Sequence, residues 1–333
     1  MKTTVLLNKL EQAELRPREY YNEYSRLISE DVRKLLFPGR EMWTERRCPG
    51  CTNADVKLSF ERNGFQFYLC DGCFTLYVSP VPDQAALSKF RAEGQAERYL
   101  DTLFRNELSS KRYIHIIASI IAWVMTYTDR FDLTGGSCCV WSSHGARIAE
   151  IMKRKNACSD IVVVNGNEIM HREDNPVNTV ESIRDISKPK DVMALFDLLE
   201  RMVDPRTALF DALGKVNNGG MVFITCATYG FEYQVLKEHS PNLIPVDRLT
   251  LFSADALKRI LRESGFEVLE LSTPGRLDVE VVVDTVKKRG LELESSFLEN
   301  LLIRKDENCL SKFQLFLQEF CMSSYLRVAA RKA

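Results

Sequence analysis

Four thiols stand out first. Cys48-Pro-Gly-Cys51 and Cys70-Asp-Gly-Cys73 form two tight pairs separated by eighteen residues. That spacing is the one expected of a four-cysteine zinc site, in which each glycine-containing turn aims two thiolates at one tetrahedral ion. Two disulfides, or four unligated thiols, are the alternatives. The opening stretch MKTTVLLNKLEQAEL carries acidic residues where the apolar run of a secretory leader would lie, so a reducing, cytoplasmic setting and therefore zinc are expected. With all four positions filled by cysteine, no coordination site is left open, and the expected role is structural. Cys138, Cys139, Cys158, Cys226, Cys309 and Cys321 lack ligand spacing and read as small buried hydrophobes.

The pairs need an element to bring them together. Between them Val56, Leu58 and Phe60 alternate with polar residues, Asn63-Gly64 supplies a turn, and Phe65, Phe67 and Leu69 alternate back, the pattern of a β-hairpin. Residues 46–82 therefore read as a zinc ribbon. Ahead of it, 1–45 is a helical extension whose Tyr24, Leu27, Ile28, Val32, Leu35 and Leu36 recur mostly at three- and four-residue spacing until Pro38-Gly39 stops the helix. Residues 83–130 form a helical linker. The stretch 113–125 is apolar but shorter than the ~20 residues a membrane span needs, so a buried helix and no span are expected.

From 131 to 333 strands and helices alternate. Residues 138–141, 161–164, 177–183 and 191–196 read as strands, and a helix begins at Pro205. Gly219-Gly220 is expected to end that helix and open the strand MVFITC; a further helix runs from Ser253 to Gly265, followed by FEVLEL. This order implies a parallel sheet with helices on both faces. With 45% hydrophobic and 27% charged residues the chain can bury a core, and 45 basic against 46 acidic residues leave a net charge of −1. Such a balance offers no global attraction to nucleic acid or to an anionic membrane.

The ribbon, the passage LERMVDPRTALFDALGKVNNGGMVFIT, the segment LTLFSADALKRILRESGFEVLELSTPGRLDVEVV and the closing SSYLRVAARK together resemble class I S-adenosylmethionine (SAM)-dependent methyltransferases. The similarity is closest to the zinc-ribbon group that includes C-methyltransferases of nucleotide-linked sugars, and it runs from about Cys48 to Lys332. It implies an α/β fold: a Rossmann-like, seven-stranded class I methyltransferase sheet with a late antiparallel strand from Tyr325, preceded by the ribbon and the helical extension. It also implies SAM as cofactor, bound at the carboxyl ends of the first strands, and a nucleotide-linked sugar or glycan intermediate as substrate. An acid–base pair would deprotonate the carbon beside a keto group.

Against that family pattern several residues differ. Where the first strand would end in Asp-x-Gly-x-Gly-x-Gly, this chain has Cys139, Trp141 and Ser143, and keeps only Gly145. Those glycines let the backbone approach the cofactor. Asn165 stands where an acidic residue would accept bonds from the ribose hydroxyls, with Glu168 three residues on. In the loop Pro245-Val246-Asp247-Arg248-Leu249, Asp247 and Arg248 replace a Glu-His pair; near the fourth strand a second Glu-His reads Glu200-Arg201, and Tyr325 replaces a histidine in the tail. Arginine stays protonated and cannot serve as the base, so Asp247-Arg248 is expected to form an ion pair or to bind an anion. Tyr99 matches loosely an aromatic region ahead of the family's catalytic domain. His144 sits in the former cofactor loop, while His115, His171 and His239 lack ligand partners. Three readings stay open: a methyltransferase of sugar or surface-polysaccharide biosynthesis, with SAM chemistry impaired or lost; a non-catalytic relative binding a protein partner or glycan; and a cleft turned to another anionic ligand.

Overall fold

The computed structural model describes residues 18–106, 116–142, 144–164 and 178–333. In chain order the helices are α1 Arg18–Asp31, α2 Gln84–Glu93, α3 Gln95–Asn106, α4 Ala118–Arg130, α5 Gly145–Arg154, α6 Pro205–Gly214, α7 Phe231–Leu236, α8 Ala254–Glu263, α9 Asp278–Arg289, α10 Ser296–Arg304 and α11 Glu307–Glu319. The strands are β1 Val56–Arg62, β2 Phe65–Cys70, β3 Leu76–Val78, β4 Ser137–Ser142, β5 Asp160–Val164, β6 Asn178–Val180, β7 Lys190–Phe196, β8 Val216–Ala227, β9 Thr250–Leu251, β10 Phe266–Ser272 and β11 Tyr325–Lys332.

Seven strands form one sheet in the order β10-β11-β8-β7-β4-β5-β6. The neighbours from β6 through β8 pair in parallel, whereas β11 runs antiparallel to both β8 and β10. This is the Rossmann-like class I methyltransferase sheet, late antiparallel strand included. Its central strands carry near-continuous apolar runs because both faces are covered: Val192, Met193, Ala194 and Leu195 of β7 are all buried. Consequently the carboxyl ends of β4, β5, β7, β8 and β10 share one edge with the start of β11, where Tyr325 pairs with Ala227.

Two expectations need correction. Gly219-Gly220 does not end a helix; α6 stops at Gly214, and the glycines lie inside β8. Gly219 adopts φ +76, and a Cβ on Gly220 would lie 2.8 Å from the Asp191 carbonyl oxygen. A register shift in the β7 ladder sits beside them, so this pair makes a bulge. Pro38-Gly39 likewise does not stop α1. The regular helix ends at Asp31, a π-turn follows over Val32–Leu36, and Pro38-Gly39 belongs to a 3-10 turn over Phe37–Met42. The Asp31 carboxylate is buried and accepts from the Ala96 backbone N–H at 2.8 Å, so the end of α1 caps the start of α3.

The smaller sheet has the order β1-β2-β3-β9. Asn63 and Gly64 both take positive φ, 49° and 79°, as a two-residue hairpin turn requires. Its fourth strand comes from residues 250–251, so the ribbon shares a sheet with the α/β body. Tyr24, Ile28, Phe65, Phe67, Leu76, Leu249 and Leu251 form one core across α1, the hairpin and that strand. Between β10 and β11, helices α9 to α11 pack Val279, Val282, Leu302 and Leu317 against Phe231 and Leu236 of α7.

Candidate functional site

The hairpin does for the cysteines what their spacing requires. Val56 pairs with Cys70 at the base of β1–β2, and the four Sγ atoms lie within 4.8 Å of one another. Cys48 and Cys73 are 3.4 Å apart at sulfur, as are Cys51 and Cys70, and none forms a disulfide. Zinc–sulfur bonds of about 2.3 Å would set tetrahedral sulfurs roughly 3.8 Å apart, so the cluster fits the ion. A Cβ on Gly50 would collide with Thr75 Oγ1 and lie 2.9 Å from Cys73 Sγ, which explains the glycine in CPGC. The hydrogen bond between the Cys48 and Cys73 thiols holds Cys73 down and pushes Cys48 up.

This centre is fastened to the body. Ser253 Oγ donates to the Cys73 carbonyl at 2.6 Å, and Arg206 and Arg259 donate to the Gly50 carbonyl at 3.4 and 3.2 Å. Arg46, two residues before Cys48, donates to the carbonyls of Val78, Val203 and Leu249 and to Thr250 Oγ1 at 2.5–3.0 Å. Sequence reasoning passed over Arg46 because its acceptors, mostly backbone oxygens, lie between 32 and 204 residues away.

Over the shared strand edge lies a second cluster. Tyr24 Oη donates to Asp247 Oδ2 at 2.7 Å. Arg201 Nη2 faces Asp247 Oδ1 at 3.1 Å and Glu97 Oε1 at 3.2 Å, while Arg91 donates to the Arg201 carbonyl at 2.8 Å. Arg248 Nη1 donates to the Asp247 carbonyl at 2.8 Å and stands 3.7 Å from Glu200 Oε1. Glu200 Oε1 accepts from the Ala227 N–H at 2.9 Å, and Oε2 has no hydrogen-bond partner among the described residues. Asp197, after β7, accepts from Thr225 Oγ1 at 3.0 Å.

Environment sorts these acids. Burial works against ionising Asp247, but the charges of Arg201 and Arg248 and the Tyr24 bond outweigh it and hold its carboxyl below the ordinary range. Glu200, with only 2% of its side chain exposed, is pushed up to about 7, because burial exceeds the pull of Arg248. A carboxyl whose folded-state pKa is raised favours the folded chain below its unfolded value, and that benefit is lost as pH climbs through the folded value. The native chain should thus lose stability, on the order of 2 kcal/mol, between pH 5 and pH 8 through this one group. Glu200→Gln keeps an acceptor for Ala227 and should remove that loss. Urea unfolding at the two pH values checks it; equal pH dependence in both proteins would contradict it.

At the strand end where the resemblance places the cofactor, Trp141 is the penultimate residue of β4, in register with Val164 and Leu195. It is half-buried and packs on the core that contains both. The backbone then turns into α5, whose Gly145 would place a Cβ 2.9 Å from Val163 Cγ1; this glycine serves close helix–strand packing. Ser143, Asn165, Glu168, His115 and His171 lie outside the described residues. Tyr99, on α3, packs against the core beneath the hairpin. Of the residues singled out in the sequence, the structure brings Asp247, Arg248, Glu200 and Arg201 together and places Tyr99 in packing. Tyr24 and Glu97 were missed: helical periodicity marks Tyr24 only as a packing residue, and no signal in the sequence pairs either with a loop some 150 to 220 residues away.

Residues 142–271 match the model of a family described as a methyltransferase domain. No curated protein matches the sequence significantly. Among solved structures, similarity extends to the plantazolicin methyltransferase BpumL in complex with SAH, at 14% identity over 75% of this chain and 95% of that one, TM-score 0.43. It extends also to magnesium protoporphyrin IX methyltransferase from Synechocystis PCC 6803 with bound SAH, at 11% identity over 65% and 82%, TM-score 0.40. A third is the [4+2]-cyclase SpnF, at 16% identity over 64% and 80%, TM-score 0.39.

Proposed function

We propose that this chain is a methyltransferase-fold protein of sugar or surface-polysaccharide biosynthesis in which SAM-dependent chemistry is impaired or lost, and whose ribbon holds one structural zinc ion. The observation that carries the reading is the charge pairing over the strand edge. The acid–base positions of the resembled family in this loop and after β7 are engaged with one another: Asp247 with Arg201 and Tyr24, Arg248 with Glu200 and the Asp247 carbonyl. A base must reach the carbon acid and be poised near working pH. Asp247 is held ionised in a salt bridge, and Arg248 holds its proton, so this loop orients and binds and does not abstract.

Zinc would be held by Cys48, Cys51, Cys70 and Cys73, and would supply cross-linking of the ribbon, with no position left for substrate. SAM fits less well. Trp141 stands where the strand end needs a residue without a side chain, and the sequence offers the Asn165 amide where a carboxylate would accept both ribose hydroxyls. The sugar reading rests on the likeness of the ribbon and of STPGRLDVE to the sugar-modifying group. The non-catalytic reading, a module that binds a glycan or a protein partner, draws on the same charge pairing.

Thermal unfolding with millimolar SAM tests the proposal. A ligand at ~100 times its dissociation constant stabilises by ~2.7 kcal/mol, a shift of several degrees. No shift is expected; a clear shift would restore the active methyltransferase.

A further inference from the structure

An aromatic surface on α11 lies outside both clusters. The rings of Phe313, Phe316 and Phe320 form a ladder, with successive centroids 6.1 and 4.7 Å apart. Phe316 is 43% exposed, Phe320 60%, and Met322 just beyond the helix 43%. Single exposed apolar residues are ordinary; a run of stacked ones marks an interaction surface. The rear of α11 is fixed. Leu317 and Gln318 are buried, Gln314 accepts from the Val279 N–H at 2.9 Å and donates to the Gly275 carbonyl at 3.0 Å, and Phe313 meets Phe231 edge-on at 5.2 Å. The outward face is therefore rigidly presented.

The charges on this face have an order that names the partner. Lys312 lies four residues before Phe316 and Glu319 three after it, so all three share one side of the helix. Both charged residues are exposed, and neither has an ion-pair partner among the described residues. We propose that this face is the interface of a symmetric homodimer, with two α11 helices packed antiparallel about a two-fold axis near Phe316. That axis sets Lys312 against the partner's Glu319, and the same contact occurs twice, as an isologous interface requires. The two Phe316 rings meet at the centre, and Phe320 covers the stem of the partner's Lys312. Parallel pairing would instead oppose like charges. The face is small beside the ~800 Å² per partner of a standard interface, so the dimer forms reversibly with concentration.

Sedimentation of the full, zinc-loaded chain from micromolar to hundreds of micromolar tests this. A monomer–dimer equilibrium is expected, and Phe316→Asp should abolish it. Lys312→Glu and Glu319→Lys should each weaken it about tenfold through like-charge contacts, and the double variant should recover dimerisation. All three substitutions lie on the exposed face, and unchanged circular dichroism and thermal midpoint will show that each variant is folded. A chain that stays monomeric throughout would overturn the proposal. So would association indifferent to Phe316→Asp, or a double variant no better than either single one.

Discussion

Protein purified without added zinc should carry one zinc ion per chain, and Cys70→Ser should lose it. Structural zinc contributes on the order of 10–16 kcal/mol of apparent binding energy to small domains, much of it folding energy. Cys70 sits at the end of β2 and contacts Cys51 Sγ at 3.4 Å, so removing its thiolate leaves three ligands and an open position. The damage should not stay within the ribbon. β3 pairs with β9, and the Cys73 carbonyl receives the Ser253 hydroxyl that also caps α8. Hydrogen exchange should accelerate in β1 to β3 and spread to β9 and the first turn of α8, while β4, β7 and β8 stay protected. A metal-free chain with a fully protected hairpin would contradict the assignment.

Glu270→Ala should be the most damaging single change in the α/β body. Glu270 lies on β10 and is 1% exposed. Its Oε2 accepts from Trp123 Nε1 at 3.0 Å and Tyr127 Oη at 2.8 Å, and its Oε1 from Ser272 Oγ at 2.9 Å and Arg327 Nη2 at 3.1 Å. The Arg327 guanidinium also lies 4.6 Å from the Trp123 ring centroid. One carboxylate thus joins α4, β10 and β11 while balancing a buried cation. Alanine would leave Arg327 charged and unpaired, at a cost of about 3–5 kcal/mol, and the urea midpoint should fall accordingly. Adding Arg327→Met should recover part of the loss, since an apolar replacement of a buried pair is often tolerated. A change below about 1 kcal/mol would mean that water already satisfies the site.

How much could be read beforehand differs between parts for physical reasons. Cys48 to Cys73 were legible because a ligand set is local: two turns and one hairpin, all within twenty-six residues. The strands of the large sheet were legible because a strand covered on both faces is apolar throughout, as in β7. Gly219-Gly220 misled because two glycines signal a helix end and a strand bulge equally well. The polar cluster was half legible. Asp247, Arg248, Glu200 and Arg201 stand out against the resembled family, but the sequence pairs Arg248 with Asp247 or with a bound anion and does not point to Glu200 as its partner. In the structure Glu200 already faces that guanidinium. Tyr24, Glu97 and Arg46 were not legible, because their roles come from contacts that only the folded chain creates. Glu270 read simply as a polar position in a strand.

Whether the sheet edge accommodates the methyl donor is decided by titration calorimetry with SAM on the zinc-loaded chain. The native chain should give no saturable heat at millimolar SAM, whereas Trp141→Gly combined with Ser143→Gly, which returns close-approach glycines to the strand end, should bind measurably. Saturable binding by the native chain in the micromolar range, abolished by neither a zinc chelator nor Asp247→Asn, would contradict the proposed loss of SAM chemistry and make this protein a SAM-binding methyltransferase.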